Sequence, residues 1–481
     1  MLYRPRRPER TLLHRLVREH LETFLALARQ GHAEIDPVPC YIEGAFRKYL
    51  ECGVLSYGFA RARCNACGHD FFVAFSCKTR GICPSCNTRR MVETAAHLTD
   101  HVLPKVPHRQ WVLSVPKRVR YVFRTERETV GAVLRIFMRA LETTLRRKSP
   151  GAPATSRFGA VAFVHHFGSS LNEHIHFHCI VTDGVFSESS DGEALFHEAT
   201  SLQETDITAV GDKTRHRTLK WLARHKYLDP EAAEMMRSWR HSGGFSVDGS
   251  VRLPEWDRGG LERLVRYCSR PAFSAERLDR WDGDTWVYRL KRPLASGETS
   301  MVLSPLELLS RLASLVPPPR RHGIHYYGVF SAHAKLRERV TETAGPSGAV
   351  AARLREAARR MGITPLSPEA AGDTEEGGGW VEPEEFPCGF PYTWAMLLAR
   401  IYEALPLVCP KCGSAMRIIA FIMNASDVKR ILEHIGEASD PPSISPSRAP
   451  PEEEFEFSQG PPREDEFDFD QRVEYDNDTE V

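Results

Sequence analysis

The sequence predicts an α+β protein with more than one domain. In several stretches apolar residues recur at every third or fourth position, which is the spacing of an amphipathic helix. Between these stretches lie short runs rich in β-branched and aromatic residues, which are typical of strands. A chain of 481 residues is too long for one compact core, so we expect two to four domains.

Helices and strands are predicted in a mixed order along the chain. Helical spacing covers residues 1 to about 60, and then residues 88–102, 126–147, 260–270 and 304–315. Strand-like runs lie at 111–115, 160–165, 175–181 and 285–290. The predicted domain bounds are 1–105 for a helical and cysteine-rich domain, 106–345 for a central domain, 346–385 for a linker, 386–438 for a small C-terminal module and 439–481 for a disordered acidic tail.

The composition is that of an ordinary soluble protein, with 42% hydrophobic and 26% charged residues. The sequence contains no run of about 18 apolar residues, so no membrane span is predicted. Its basic N-terminus lacks the apolar core of a secretory signal. We therefore expect a cytoplasmic protein with reduced thiols, in which cysteine pairs bind metal rather than form disulfides.

The net charge of +1 hides an uneven distribution. Residues 441–481 contain 13 acidic and 3 basic residues, so the preceding 440 residues carry a net charge of +11. A basic body with an acidic tail fits a nucleic-acid partner whose surface the tail screens. Solvated disorder without a function explains the tail equally well.

Two cysteine pairs, Cys64 with Cys67 and Cys83 with Cys86, predict a structural zinc site in the first domain. A gap of two residues lets both thiolates of a pair reach one ion, and two pairs complete a tetrahedral four-sulfur shell. The spacing between the pairs matches that of a zinc ribbon. Cysteines that are merely buried, without a metal, are the alternative.

Neighbouring residues leave two questions open at this zinc site. Cys77 and His69 lie close to the pairs in sequence, and either is an alternative ligand. The site is also surrounded by basic residues that suit phosphate contacts, namely Lys78, Arg80, Arg89 and Arg90. A purely structural zinc explains the pattern as well as a DNA-contacting one.

A third cysteine pair, Cys409 with Cys412, lies in the C-terminal module and has no second pair nearby. A zinc site completed by distant ligands and a turn with two ordinary thiols are both compatible with this pattern.

Three histidines, His174, His176 and His178, alternate with apolar residues in a strand-like run. Side chains alternate between the faces of a strand, so the three imidazoles share one face. Neighbouring histidines on that face lie about 7 Å apart at Cα, which lets two of them reach one metal ion. The outer two are too far apart for all three to bind the same ion. A solvated histidine face is the alternative.

A third ligand for this metal is expected from residues close to the histidine strand. Asp183 lies at the end of the strand, and His165 and His166 lie on the preceding strand-like run. We favour His165.

A predicted helix at 260–270 presents Tyr267 beside basic residues. Leu261, Leu264, Val265 and Cys268 recur at helical spacing and define its buried face. At about 100° per residue, Tyr267 lies to one side of that stripe. The arginines nearby are Arg263, Arg266 and Arg270, which suit a phosphodiester next to a tyrosine nucleophile. A packing role is the ordinary alternative for a helical tyrosine.

Seven strings in these regions resemble the transposases of the insertion-sequence ninety-one family, which belong to the His-hydrophobe-His class of single-strand nucleases. The resemblance extends over residues 17–433. The strings are SCKTRGICPSC at 76–86, RQWVLSVP at 109–116, FGSSLNEHIHFH at 167–178, YCSRPAF at 267–273, LSPLELL at 303–309, YGVF at 327–330 and CPKCG at 409–413.

The resemblance implies a particular fold and particular site residues. The fold is an antiparallel-sheet nuclease domain with helices on one face, in which the histidine pair lies on a central strand and the tyrosine on a facing helix. The metal-binding pair of the family corresponds to His176 and His178, and its catalytic tyrosine corresponds to Tyr267. The founding members have a second tyrosine four residues earlier, where this chain has Arg263, so it resembles the single-tyrosine branch. Tyr326 and Tyr327 are the fallback nucleophiles.

The activity implied is the nicking and rejoining of single-stranded DNA at insertion-sequence ends through a 5′-phosphotyrosine link. Mg²⁺ or Mn²⁺ is the expected catalytic metal, and Zn²⁺ is the expected structural one. DNA contacts are expected at Arg263, Arg266 and Arg270 and along 320–327, where aromatic residues suit stacking on bases. The alternatives are a rolling-circle replication initiator or relaxase, a non-enzymatic zinc-dependent DNA-binding protein and a zinc hydrolase.

Overall fold

The computed structural model describes residues 6–31, 37–168, 170–239, 244–282, 285–294, 296–362, 394–402 and 405–448. The helices are α1 Leu12–Gln30, α2 Cys40–Glu51, α3 Pro84–His101, α4 Lys117–Thr125, α5 Arg127–Lys148, α6 Glu204–Arg224, α7 Pro230–Ser238, α8 Arg258–Cys268, α9 Pro305–Ser314, α10 Arg337–Glu342, α11 Gly348–Met361, α12 Trp394–Tyr402 and α13 Ala425–Ile435. The strands are β1 Phe59–Cys64, β2 Asp70–Ala74, β3 His108–Ser114, β4 Gly159–Phe167, β5 Glu173–Thr182, β6 Gly184–Glu188, β7 Ala194–Glu198, β8 Ser246–Asp248, β9 Arg252–Leu253, β10 Leu278–Asp282, β11 Thr285–Arg289, β12 Ser300–Leu303, β13 Ile324–Gly328 and β14 Met416–Ile422. Within the described ranges, every helix is too short or too polar to cross a bilayer.

The N-terminal helices pack through the apolar stripe that their sequence predicts. Leu13, Leu16, Val17 and Leu21 of α1 are all buried, as the helical spacing requires. They share a core with α2, α9 and the small antiparallel sheet of β10, β11 and β12. The first domain is therefore packed against elements that come much later in the chain.

The central sheet has the strand order β13-β4-β5-β3-β8, and β9 also pairs with β3. Every pairing in it is antiparallel. The strand that carries the predicted histidines, β5, lies between β4 and β3 and is therefore central, where its backbone groups are paired on both sides.

Both faces of this sheet are covered by helices. On one face Trp111, Phe177 and Cys179 pack against α5 and α6. On the other face Phe163 and Ile180 pack against α3 and α8. The α+β class with antiparallel sheets is confirmed, but the prediction of helices on one face only is wrong. The reason is that α3 and α8 lie over the histidine-bearing face and bury its apolar residues.

A second three-stranded sheet joins the two ends of the chain. Its order is β14-β1-β2, so a strand from the C-terminal module pairs with a strand of the first domain. Both β1 and β14 are next to a cysteine pair, because β1 ends at Cys64 and β14 begins four residues after Cys412.

The structure also differs from the predicted linker and tail. Residues 348–361 of the predicted linker form α11, whose buried residues pack against α12, while residues 363–385 lie outside the described residues.

Residues 439–448 of the predicted tail are described. There the backbone N–H groups of Ser445 and Arg448 donate to the Arg18 carbonyl and to Thr23 Oγ1, both on α1 and both at 3.0 Å. Residues 449–481 lie outside the described residues.

A buried ion network connects α3, α8 and α12. Arg400 on α12 donates to both carboxylate oxygens of Asp100 on α3, at 2.6 and 3.1 Å. It also donates to both oxygens of Glu262 on α8, at 3.2 and 2.9 Å. Burial by itself raises the pKa of Glu262, but the hydrogen bonds and charge of Arg400 outweigh it and hold that pKa below its ordinary value. Three segments far apart in sequence are thereby held together.

We expect Arg400→Met to destabilise the protein by about 3–5 kcal/mol, because the buried carboxylates of Asp100 and Glu262 lose the guanidinium that they share, although Glu262 keeps its pairing with the half-buried Arg266. The measurement is the free energy of chemical unfolding at pH 7. Because the pKa of Glu262 is lowered by folding, its contribution is present above its ordinary pKa of 4.5 and is lost as the pH falls through the lower folded value.

The matched control is Arg359→Met, which removes an exposed arginine paired with Glu356 on α11. A change within about 0.5 kcal/mol is expected there. Equal effects of the two substitutions would contradict a special role for the buried network.

Candidate active site

The pairing of β4 with β5 brings His165 to the histidine strand. His165 lies directly opposite His176 in the antiparallel register, so both side chains are on the same face of the sheet. One ring nitrogen from each of His165, His176 and His178 lies within 4.8 Å of the others. His174 packs beside His176, with ring centroids 5.0 Å apart, but is not part of this group of three. The arrangement is a compact set of three imidazoles at the centre of the sheet.

Hydrogen bonds at the opposite ring nitrogens orient two of these imidazoles. His176 donates through Nδ1 to the carbonyl of His174 at 3.2 Å, and His165 donates through Nε2 to the carbonyl of Cys268 at 2.6 Å. The proton is then on Nδ1 of His176 and on Nε2 of His165. The other nitrogen of each ring keeps a lone pair for a metal. Nδ1 of His165 is buried and has no hydrogen-bond partner among the described residues. These features fit a divalent metal ion at the three histidines.

Gln110 is a neighbour of this cluster that sequence reasoning missed. It lies on β3, and its amide Nε2 is 2.9 Å from Nδ1 of His178 and 3.7 Å from Sγ of Cys268. Its Oε1 is buried without a partner among the described residues. If the amide of Gln110 is rotated by 180°, its Oε1 lies against Nδ1 of His178. Nδ1 of His178 then donates to Oε1 of Gln110, and Nε2 of His178 is left for a metal. Sequence spacing could not identify it, because its place beside His178 depends on the register of β3 with β5, in which Val112 lies opposite His178.

Burial keeps the histidines neutral. Each side chain is about 5% exposed or less, and desolvation lowers the pKa of His165, His176 and His178 well below the ordinary value of 6.5. Neighbouring imidazoles and Arg270 lower these values further. Protons therefore compete with a metal for these nitrogens only when the pH is well below 6.5.

Tyr267 lies at the end of α8 and faces the histidines. The helix begins at an N-cap in which Asp257 accepts from the N–H of Gly260 at 2.7 Å, and any side chain at position 260 would collide with that carboxylate. The predicted buried stripe of α8 is confirmed, since its four apolar residues are all buried. The rings of Tyr267 and His178 are 5.5 Å apart between centroids and nearly perpendicular.

The three arginines of the tyrosine helix have different surroundings. The guanidinium of Arg270 lies over the Tyr267 ring at 4.5 Å, and the ammonium of Lys291 lies 5.8 Å from the same ring. Arg266 instead pairs with Glu262 at 3.2 Å, and Arg263 is exposed on the helix. Of the three predicted DNA contacts, Arg270 is the one that the structure brings to the tyrosine.

The other predicted candidates lie elsewhere. Asp183 is buried between Arg109 and Arg252, at 2.9 and 2.6 Å, and takes no part in the histidine cluster. Tyr326 packs in the same core as Tyr267, with Arg337 5.8 Å from its ring. Tyr327 packs on the opposite face of the sheet, where burial raises its pKa to about 12.

His166, the alternative to His165 on β4, is also outside the cluster of three. Burial, together with the charge of Arg321, lowers its pKa to about 4.

Within the described ranges, the cysteines form two clusters rather than the single site predicted from the first domain. Cys83 and Cys86 meet Cys52 and Cys77, and their sulfurs lie within 4.8 Å of one another. Cys64 and Cys67 meet Cys409 and Cys412 within the same distance. The prediction that the first two pairs share one shell is therefore wrong. The physical reason is that β1 carries its pair towards the C-terminal module, whereas Cys83, the residue before α3, lies beside Cys52 just after α2.

Two comparisons with family models match the chain. The model described as "Putative transposase" matches residues 159–338, which contain the histidine cluster and Tyr267. The model described as "Transposase zinc-binding domain" matches residues 17–115, which contain six of the eight clustered cysteines. Together the two matches cover more than half of the chain.

A curated relative supports the same assignment. The "Transposase for insertion sequence element IS801" of Pseudomonas savastanoi pv. phaseolicola is 24% identical over 293 residues, covering 58% of this chain and 68% of the relative. No solved structure matches the chain. The chain is thus a transposase with a zinc-binding domain and two four-cysteine clusters. It belongs to the insertion-sequence ninety-one family.

We expect His165→Ala to abolish Mn²⁺ binding at the histidine cluster, because it removes one of three converging ligands. The matched control is His174→Ala, which removes a neighbouring imidazole and keeps the backbone carbonyl that orients His176. Titration calorimetry with Mn²⁺ checks both. Loss of Mn²⁺ binding in His174→Ala together with its retention in His165→Ala would show that His165 is not the third ligand.

We expect Gln110→Leu to lower the Mn²⁺ affinity by about 10- to 100-fold, because Nδ1 of His178 loses its hydrogen-bond partner. The same titration measures it. Gln30→Leu, at the exposed end of α1, is the control and should leave the affinity unchanged. An unchanged affinity in Gln110→Leu would show that Gln110 does not orient a metal ligand.

Proposed function

We propose that this transposase nicks and rejoins single-stranded DNA at insertion-sequence ends, with Tyr267 as the nucleophile. The observation that carries the proposal is the position of Tyr267 against the histidine cluster, 5.5 Å from the ring of His178 and beneath the guanidinium of Arg270. A phenol, a set of neutral imidazoles and a cation thus converge on one place. This is the combination that attack on a phosphodiester requires.

The reaction exchanges one phosphoester bond for another. The phenolic oxygen of Tyr267 forms a bond to the 5′-phosphorus, the bond from phosphorus to the 3′-oxygen breaks, and the proton lost by the phenol is balanced by the proton that the leaving 3′-oxygen gains. The product is a 5′-phosphotyrosine link and a free 3′-hydroxyl. A 3′-hydroxyl attacking this link reverses the step, so a strand is joined without water or ATP.

The residues around Tyr267 have distinct roles in this scheme. His165, His176 and His178 would hold Mg²⁺ or Mn²⁺, which when bound offsets the charge that develops on the phosphate. Arg270 and Lys291, both within 6 Å of the tyrosine ring, attract the phosphate and orient it. Arg263, which is exposed on the same helix, and Arg266, which is half-buried beside Glu262, contact the strand on either side.

One tyrosine is sufficient for this scheme. The position four residues before Tyr267 is Arg263, and Tyr326 packs among apolar residues of the same core with its carbonyl accepting from Ser331. We therefore propose sequential transfers through Tyr267 alone. The zinc of the first domain is structural in this proposal, and Cys83 and Cys86 bind it together with Cys52 and Cys77.

The test is covalent capture of DNA on Tyr267. The purified protein is incubated with Mn²⁺ and labelled single-stranded DNA from the ends of its own element, and the products are separated on a denaturing protein gel. We expect a labelled adduct that EDTA prevents and that is absent from Tyr267→Phe, because phenylalanine keeps the ring and lacks the nucleophile.

The matched controls are Tyr326→Phe and Tyr327→Phe, which should form the adduct as the native chain does. An adduct that survives in Tyr267→Phe and disappears in one of the controls would move the nucleophile to β13. Tight DNA binding without any adduct would favour the non-enzymatic DNA-binding alternative.

A further inference from the structure

We propose that Cys64, Cys67, Cys409 and Cys412 bind a second zinc ion, which joins the C-terminal module to the first domain. Two of these ligands lie outside the residues matched by the zinc-binding family model, which end at residue 115. The site is separate from the cluster at Cys83 and does not depend on the nuclease chemistry proposed for Tyr267.

The sulfur positions fit tetrahedral zinc. Sγ of Cys64 is 3.5 Å from Sγ of Cys412, and Sγ of Cys67 is 3.5 Å from Sγ of Cys409. Zinc–sulfur bonds of about 2.3 Å place the sulfurs of a tetrahedral shell about 3.8 Å apart. The same pairs are much too far apart for disulfides, whose bond length is about 2.04 Å. Small shifts of the side chains would complete the metal shell.

The two cysteine pairs are built in the same way, although more than 300 residues separate them. In the first, Gly68 has a positive φ of 72° and its N–H donates to the carbonyl of Cys64 at 2.9 Å. In the second, Gly413 has a φ of 75° and its N–H donates to the carbonyl of Cys409 at 2.9 Å. Each turn places its two thiols on one side, and the glycine is needed because its left-handed conformation strains other residues.

Each turn is also closed by a second hydrogen bond. The N–H of Cys64 donates to the carbonyl of His69 at 2.9 Å, and the N–H of Cys409 donates to the carbonyl of Ser414 at 2.8 Å. Two turns with the same backbone and facing thiols form the two halves of a four-sulfur site.

The surrounding packing holds the two turns against each other. Cys64 is opposite Met416 in the pairing of β1 with β14, and both residues share a small buried core with Cys409. Cys64 and Cys409 are buried, whereas Cys67 and Cys412 are exposed. One sulfur of each turn is thus shielded, and the other faces the surface where metal can enter.

The ion would bind close in sequence to the buried ion network. Arg400 lies only nine residues before Cys409, and it is the residue that ties α12 to α3 and to the tyrosine helix α8. A zinc ion at Cys409 fixes the segment that follows α12 to the first domain in the folded chain, and its binding free energy adds to the stability of the fold. The second zinc therefore stabilises the position of α12.

The experiment combines a zinc count with mapping of protected thiols on the full-length chain. Wild-type protein and the double variant C409S/C412S are purified under reducing conditions, and zinc per chain is measured by atomic absorption. We expect the double variant to contain one zinc fewer. Cys40→Ser, which removes an exposed cysteine outside both clusters, is the control and should keep the wild-type content. An equal zinc content in all three proteins would overturn the proposal.

Thiol alkylation of the wild-type protein keeps the test decisive if the double variant fails to fold. Cys67 and Cys412 are exposed, so iodoacetamide can reach both thiols unless metal holds them. We expect both to be protected as purified and to become reactive after a chelator is added, as read by mass spectrometry. Reaction at the rate of Cys40 before chelation would overturn the proposal. Protection that is lost only with a reductant would also overturn it, since that result indicates disulfides.

Discussion

The position of Tyr267 depends on the buried contacts of the helix that carries it. At one end of α8, Arg258 donates to backbone carbonyls of Leu103 and Pro104 just after α3, and Glu262 receives Arg400 from α12. At the other end, the carbonyl of Cys268 accepts from His165. A guanidinium shared by two buried carboxylates is stable only when all three partners are in place, because each unpaired charge would be costly to bury. The helix is therefore held at both ends, which limits how far the phenol can move from the imidazoles.

Burial also determines the protonation state of the histidine cluster. Imidazoles inside a sheet are neutral because desolvation disfavours their charged form, and neutral imidazoles are the form that binds metal. Backbone carbonyls and Gln110 then decide which nitrogen of each ring remains available. One of these carbonyls belongs to Cys268, next to Tyr267, so the third predicted metal ligand and the tyrosine helix are directly coupled. A shift of α8 would therefore alter the orientation of the His165 ring, and a shift of that ring would alter the contact that holds the end of α8.

Local patterns predicted the local parts of this site. Alternation in β5 correctly placed three histidines on one face, and helical spacing correctly identified the buried side of α8, because both depend only on the geometry of a single element. The pairing of His165 with His176 needed the register of two strands, which sequence spacing does not contain. The zinc clusters were predicted in the wrong combination for the same reason. Cys52 is an isolated cysteine after α2, and Cys409 is brought to Cys64 by a strand pairing between the ends of the chain.

The same long-range contacts relate the cysteine clusters to the buried ion network. The cluster at Cys83 and Cys86 lies at the start of α3, and Asp100, near the end of that helix, receives Arg400. The cluster at Cys409 follows Arg400 by nine residues. One end of α3 thus lies at a four-cysteine cluster and the other at the ion network that also holds α8, while the second described cluster lies nine residues beyond the arginine of that network. Since exposed ion pairs add little to a marginally stable fold, the buried network around Arg400 is the stronger constraint on where α8 and Tyr267 lie.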